Sequence, residues 1–299
     1  PRVQSAVNVL RGVRRHHLRL GLPFVDLKVV AAAANALTRK YIEVNGYRAM
    51  LTRRAPPYQV HEIVAQLHLQ DDRLLNSKPF KRQLLSGRSF KAVVATMAQC
   101  GFRGDEVSLG AGKKFNGKTC ISYANVRWWF GAYLPGGNVK DWVANPSADQ
   151  LAGLKDGDLV MIIPPPSKAD RFGTSWGNAP CYLEYSSSAG INAARELAQL
   201  ELHHQQIGAA REAAPLFRTD DGGAFTRSEL AIWGRDSLLC TGVERERAAQ
   251  LTLHSYRRYL ACALLAMGCS GDQICALLRW KSQKSLAAYA ALNPQAYAK

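Results

Sequence analysis

The sequence predicts a mostly helical α+β fold, with a small helical N-terminal region and a larger domain that carries a small antiparallel sheet. Three observations lead there. Apolar residues recur at helical spacing toward both ends of the chain, and short β-branched and aromatic runs bounded by Gly and Pro occupy its middle. The composition is that of a folded protein: 299 residues, 47% hydrophobic and 21% charged, enough to bury a sizeable core.

Taken in order, residues 5–42 read as two or three helices broken near "GLP", with arginines and histidines concentrated on the first. "RRAPPYQ" at 53–59 reads as a linker, since paired prolines favour extended backbone. The chain is therefore divided into a basic helical region, 1–53, and a main domain, 54–299. "VHEIVAQLHL" and "FKAVVATMAQCGF" have helical apolar spacing, whereas "TCISYANVRWWFGAYL", "DLVMIIPPP" and "PCYLEYSS" read as strands. "INAARELAQLELHHQQIGAAREA" returns to helix, and everything after "FTRSEL" is helical again. A run of helices, a few strands, then helices is the pattern of an α+β domain.

Composition also restricts function. No run of about 18 apolar residues is present, so no membrane-spanning helix is expected. The first residues lack both an initiator Met and a signal-peptide pattern, so the start reads as the cut edge of a longer, non-secreted protein. Seven scattered cysteines without a CxxC pair argue against a disulfide framework or a zinc site, and for a reducing, intracellular setting. The 39 Lys and Arg against 23 Asp and Glu leave a net charge of +16, an excess best explained by a polyanionic partner, with nucleic acid the commonest.

Several motifs compete for attention. "GKKFNGKT" at 112–119 matches the phosphate-loop pattern G-x-x-x-x-G-K-[ST], but strand-like sequence follows it where a helix is needed, so it reads as a basic turn and no nucleotide is expected. The pairs His16-His17 and His203-His204 lack metal-ligand partners at suitable spacing and read as solvated helix faces. In "HSYRRYLACALLAMGCSGDQICALLRWKSQKSLAAYAAL", residues 254–292, Tyr256 heads an apolar stripe through 260, 263, 264 and 267 and is expected in the core, with Tyr259 as packing. His254 and Arg257, three residues apart, share an adjacent face. Ser270 and Gln273 form a capping box for "DQICALLRW", a stretch that in isolation also reads as a helix-turn-helix. A third helix begins near Ser285 and carries Tyr289 before Pro294 stops it.

Together these pieces resemble the tyrosine recombinases, the phage-integrase family of DNA strand-exchange enzymes. The resemblance rests on Arg103 and Glu106 in "CGFRGDEVSL", His254 and Arg257 in "LHSYRRY", and Trp280 with Tyr289, nine residues beyond it, in "LLRWKSQKSLAAY". "PPPSKADRFG", between two expected strands, nominates Lys168 for the family's hairpin lysine, with Lys155 in "LKDGD" as competitor. The spacing from Arg103 to Lys168 exceeds that of compact members, which implies an insertion around 110–155, and the region before residue 54 is short for the family's DNA-clamping (core-binding) domain. The long middle and Trp280 also resemble recombinases of eukaryotic mobile elements such as DIRS-like retrotransposons and Cryptons.

The resemblance implies a catalytic domain at 54–299 that cuts and rejoins DNA without metal or cofactor. A phosphodiester anion repels nucleophiles, so attack on it needs cations around the non-bridging oxygens, the role implied for Arg103 and Arg257. Trp280 would donate one further hydrogen bond, Tyr289 would attack, His254 would take its proton, and Glu106 would orient neighbouring Arg or His side chains. Lys168 would protonate the departing 5′-oxygen. The implied product is a 3′-phosphotyrosine, the implied partner double-stranded DNA, and the implied assembly a homo-tetramer on paired sites, in the nucleus if the host is a eukaryote and otherwise in the cytoplasm or nucleoid. A type IB topoisomerase, or a DNA-binding protein that keeps the fold without catalysis, are the rival readings.

Overall fold

The computed structural model describes residues 12–13, 15–21, 27–45, 55–131, 142–166, 179–280 and 286. The chain divides into two compact units, Pro1–Arg54 and Ala55–Lys299. In the first, residues 15–19 are helical and a turn follows at 20–21, where Gly21 takes a positive φ of 65°. Helix α1 then spans Leu27–Asn45, a stretch rich in alanine, the best helix former. No helix among the described residues is long and apolar enough to cross a membrane.

The second unit is mostly helical with two small antiparallel sheets. Helix α2 (Val60–Leu67) leads to a hairpin of β1 (Leu74–Leu75) and β2 (Lys78–Pro79), then to α3 (Leu85–Cys100) and the short α4 (Gly104–Val107). A 3₁₀ turn at Tyr123–Asn125 opens β3 (Val126–Trp129), and α5 (Ala148–Ala152) precedes β4 (Leu159–Ile162) and β5 (Cys181–Glu184). Helices α6 (Ala193–Gln206), α7 (Arg227–Cys240), α8 (Arg245–Gln250), α9 (Leu253–Ala266) and α10 (Gly271–Leu277) complete the described elements. The α+β class and mostly helical content expected from the sequence are those of the structure.

Helix α3 is the axis of the core. It is buried on nearly all sides, and the small Ala92, Ala95 and Ala98 let neighbouring elements approach closely. It packs against α2, α6, α9 and β5. The sheet runs in the order β3-β4-β5, with Arg127 opposite Met161 and Met161 opposite Tyr182. Trp128, Val160 and Ile162 turn inward from it to the same core. Under β1 and β2, Phe80, Phe90, Phe225 and Trp233 meet edge to face.

Two expectations are corrected. Among its described residues, the stretch expected to be strand from Thr119 forms a strand over Val126–Trp129, with an isolated bridge from Ser122 to Pro215 before it; the Asn125 side-chain oxygen accepts from both the backbone N–H and the hydroxyl of Ser122, at 2.7 Å each. Those local bonds occupy groups a ladder would need and fold Tyr123–Asn125 into a 3₁₀ turn. His204 is not on a solvated face: it shares a stripe of α6 with Leu197, Leu200 and Glu201, is fully buried, and meets the Tyr123 ring at 4.4 Å. The basic "GKKFNGKT" stretch is an exposed turn, with the Lys118 N–H bonded to the Asn116 side-chain oxygen at 2.8 Å, and it leads into the 3₁₀ turn rather than a helix.

Candidate active site

The site begins where α3 ends. Gly101 caps that helix in the left-handed region, with φ 60° and ψ 36°, and its N–H donates to the Met97 carbonyl at 3.1 Å. The reversal sends Phe102 into the core and brings Arg103 out as the N-cap of α4. Glu106, at the third position of that helix, reaches back: its Oε2 accepts from the Arg103 backbone N–H at 2.7 Å and its Oε1 from Arg103 Nη1 at 3.4 Å. The spacing of three that links Arg103 and Glu106 in sequence is thus the spacing of a helix-start capping bond.

Helix α9 supplies the opposite wall. Thr252 and Ser255 cap it, and His254 and Arg257 lie one turn apart on it. Arg257 is 1% exposed; its Nη1 donates to the Gly101 carbonyl and its Nη2 to the Leu278 carbonyl. Its guanidinium carbon is 5.6 Å from the centre of the Trp280 ring, within cation–π reach. Arg257 therefore braces the ends of α3 and α10 against each other. His254 has its pKa lowered, first by the protein crowded around it and then by the positive charges of Arg257, Arg258 and Arg103. The ring still reaches solvent, and it is held in the neutral form that can accept a proton.

The third wall follows α10, which the Ser270–Gln273 capping box starts as the sequence indicated. Its end holds a residue the sequence did not single out. Arg279, 4% exposed and at a φ of 51°, donates from Nη2 to Glu106 Oε2 at 2.8 Å, while its own carbonyl accepts from Arg103 Nη2 at 3.3 Å. Trp280 packs beside a small second core of Ala261, Cys262, Leu264, Ile274 and Leu278, and Leu286 packs on the same cluster.

Of the residues nominated from sequence, Arg103, Glu106, His254, Arg257 and Trp280 converge in one region framed by 101–106, 254–257 and 278–280. Lys168 and Tyr289 lie outside the described residues. By position, Lys168 belongs to the connection between the paired strands β4 and β5, whereas Lys155 is exposed in the turn before β4, its N–H bonded to Asp158 Oδ2 at 2.7 Å. Cys181, the first residue of β5, brings that connection's end to the site, where its thiol and that of Cys100 lie in the field of Arg279 and Glu106. Burial raises the Cys100 pKa, and the neighbouring Cys100 thiol lowers that of Cys181. Neither this thiol pair nor Arg279 carries a sequence signal, because their partners are more than 80 residues away.

The arrangement concentrates positive charge. Three guanidinium groups and an imidazole surround a region in which the buried Glu106 carboxylate answers Arg103 and Arg279. Such a site favours an anion over a neutral ligand. Among the described residues no cluster of three or more His, Cys, Asp or Glu could hold a metal ion.

No protein-family model matches the chain, and no curated protein matches it. Among solved structures, the crystal structure of XerA recombinase is similar over 90% of this chain and 71% of that chain, with 13% sequence identity and a TM-score of 0.43.

Proposed function

We propose that this chain is a tyrosine recombinase, which cuts and rejoins DNA strands through a 3′-phosphotyrosine on Tyr289. The observation that carries the reading is the contact network itself: Arg103 and Glu106, His254 and Arg257, and Trp280 come from three distant stretches of sequence and meet in one cationic region. Five residues at a family's spacings meeting in one region support the reading, and so does the chain's net charge of +16, which favours a polyanionic partner.

In this mechanism the phosphate sits against Arg103 and Arg257. Arg103 is side-chain exposed by 26%, so it can turn N–H groups outward while Glu106 holds its base. Arg257 is bonded to two carbonyls and meets the phosphate by exchanging one of those bonds for a non-bridging oxygen, a charge-assisted and stronger partner. The Tyr289 phenol attacks phosphorus and releases its proton to His254. The 5′-oxygen leaves with a proton from Lys168, and the Trp280 indole N–H steadies a non-bridging oxygen. The bond from phosphorus to the 5′-oxygen breaks as that to the Tyr289 oxygen forms, so one phosphate ester replaces another and the 5′-hydroxyl of a partner strand reverses the step without ATP. Action as a tetramer on paired duplex sites, in association with intracellular DNA, follows from the same reading.

A second reading, a DNA-binding protein that keeps the fold without catalysis, is favoured by the full engagement of the buried Arg257. A pool of nicked suicide duplexes of randomised sequence separates the two. The recombinase reading expects a covalent protein–DNA adduct that is lost in Tyr289→Phe and Lys168→Ala and kept in Lys155→Ala. Binding without adduct would favour the second reading. Efficient relaxation of supercoiled plasmid without a cognate site would indicate a topoisomerase.

A further inference from the structure

We infer that Arg279 is a positioning residue for the phosphate clamp, coupling Arg103 to the segment that leads to Tyr289; the inference rests on the recombinase reading. Three consecutive residues behave as one bridge. The Leu278 carbonyl takes Arg257, the Arg279 carbonyl takes Arg103, and Trp280 stacks near Arg257. The left-handed turn at Arg279 is what lets adjacent carbonyls face the two different arginines.

That turn is unusual for the residue that makes it. A φ of 51° is comfortable for glycine and costly for a long side chain, and a guanidinium with 4% exposure loses most of its hydration. Ending α10 requires neither, since glycine would end it without strain. What the side chain adds is specific: Nη2 holds the same Glu106 oxygen that accepts the Arg103 backbone N–H, and the guanidinium carbon lies 5.5 Å from the centre of the Phe102 ring. Arg103 is thereby held from two sides, through Glu106 by the Arg279 side chain and directly by the Arg279 backbone. A strained residue kept at a site by the contacts it makes is the pattern expected of a positioning device.

Arg279→Gly separates this role from helix termination, because it relieves the backbone while removing the bond to Glu106. The variant is expected to fold, to bind the duplex pool no more than a few-fold more weakly, and to form the covalent adduct about 100-fold more slowly, the scale of a misplaced reacting group. Arg279→Lys, which keeps a cation within reach of Glu106, is expected to recover most of that loss. Should Arg279→Gly fail to fold, Arg279→Asn replaces it, since asparagine tolerates the left-handed turn. Wild-type rates in the Gly or Asn variant, or a Lys variant as slow as Gly, would overturn the inference. Nitrogen-15 NMR of the arginine Nε–H groups reads positioning without DNA: the Arg103 signal is expected to sharpen and exchange faster with solvent in Arg279→Gly, and an unchanged signal would also overturn it. If the wild-type protein forms no adduct while the Arg103 signal responds, the recombinase reading falls and the structural coupling stands.

Discussion

The Arg257 guanidinium donates to the carbonyl of Gly101, 156 residues earlier in the chain. Gly101 adopts φ 60°, and a Cβ there would stand 2.5 Å from Leu278 Cδ2 and 3.1 Å from Leu260 Cδ2. Leu278 is fully buried against Ala261, Cys262, Leu264 and Ile274, so moving it disturbs that cluster. Gly101→Ala is therefore expected to lower stability by about 1–3 kcal/mol in urea unfolding, from left-handed strain and overpacking. Because the shift moves Arg257's anchor, adduct formation should slow more than DNA binding weakens.

Tyr256 and Tyr289 should respond in opposite ways. Tyr256 is 1% exposed, stacks on Tyr58 with ring centres 4.1 Å apart, and donates to Gln66 Oε1 at 2.6 Å. Tyr256→Phe leaves that buried acceptor unpaired and is expected to cost about 1–3 kcal/mol, with adduct chemistry kept. Tyr289→Phe should keep the melting temperature and lose the adduct. Thermal melts beside adduct gels check both.

His204 should make the fold acid-sensitive. Burial, then the charges of Arg218, His203 and Arg211, lowers its pKa from 6.5 to about 3, and neither ring nitrogen has a hydrogen-bond partner. The folded state therefore keeps the ring neutral while the unfolded chain takes up a proton below the ordinary value. This contribution is fully present above about pH 6.5 and is lost as pH falls toward about 3, on the order of 5 kcal/mol in total. His204→Phe keeps the ring shape and removes the titration. Relative to wild type, its stability should rise by about 2 kcal/mol between about pH 7 and about pH 5. Parallel pH profiles of the two proteins would rule this out.

The thiol pair offers a chemical check on the end of the β4–β5 connection. The neighbouring Cys100 thiol lowers the Cys181 pKa, while burial raises that of Cys100. Limiting iodoacetamide should label Cys181 before Cys100, since the thiolate is the nucleophile. Cys100→Ala should slow that labelling by removing the neighbouring thiol that lowers the Cys181 pKa. Peptide mass spectrometry after timed quenching would reveal the reverse order if the assignment is wrong.

Legibility in the sequence followed the range of the interactions. Helix α9 and the start of α10 were readable because apolar stripes and the Ser270–Gln273 box are local. The apolar and aromatic runs of β4 and β5 were readable for the same reason. The Arg103–Glu106 spacing survives as a capping bond, and His254–Arg257 as one helical turn. The turn at Tyr123–Asn125 escaped because side-chain bonds from Asn125 overrode strand propensity. His204 escaped because its burial depends on which face of α6 meets Tyr123. Arg279 escaped because its partners, Glu106 and Arg103, lie 173 and 176 residues away.

The residue that carries the nucleotide decides the matter. After reaction with the nicked duplex pool, nuclease digestion and tandem mass spectrometry should find the phosphoryl group on Tyr289 and on no other side chain. A nucleotide on Tyr256, Tyr259 or a serine, or no modified peptide from protein that binds the duplexes, would contradict the proposed chemistry.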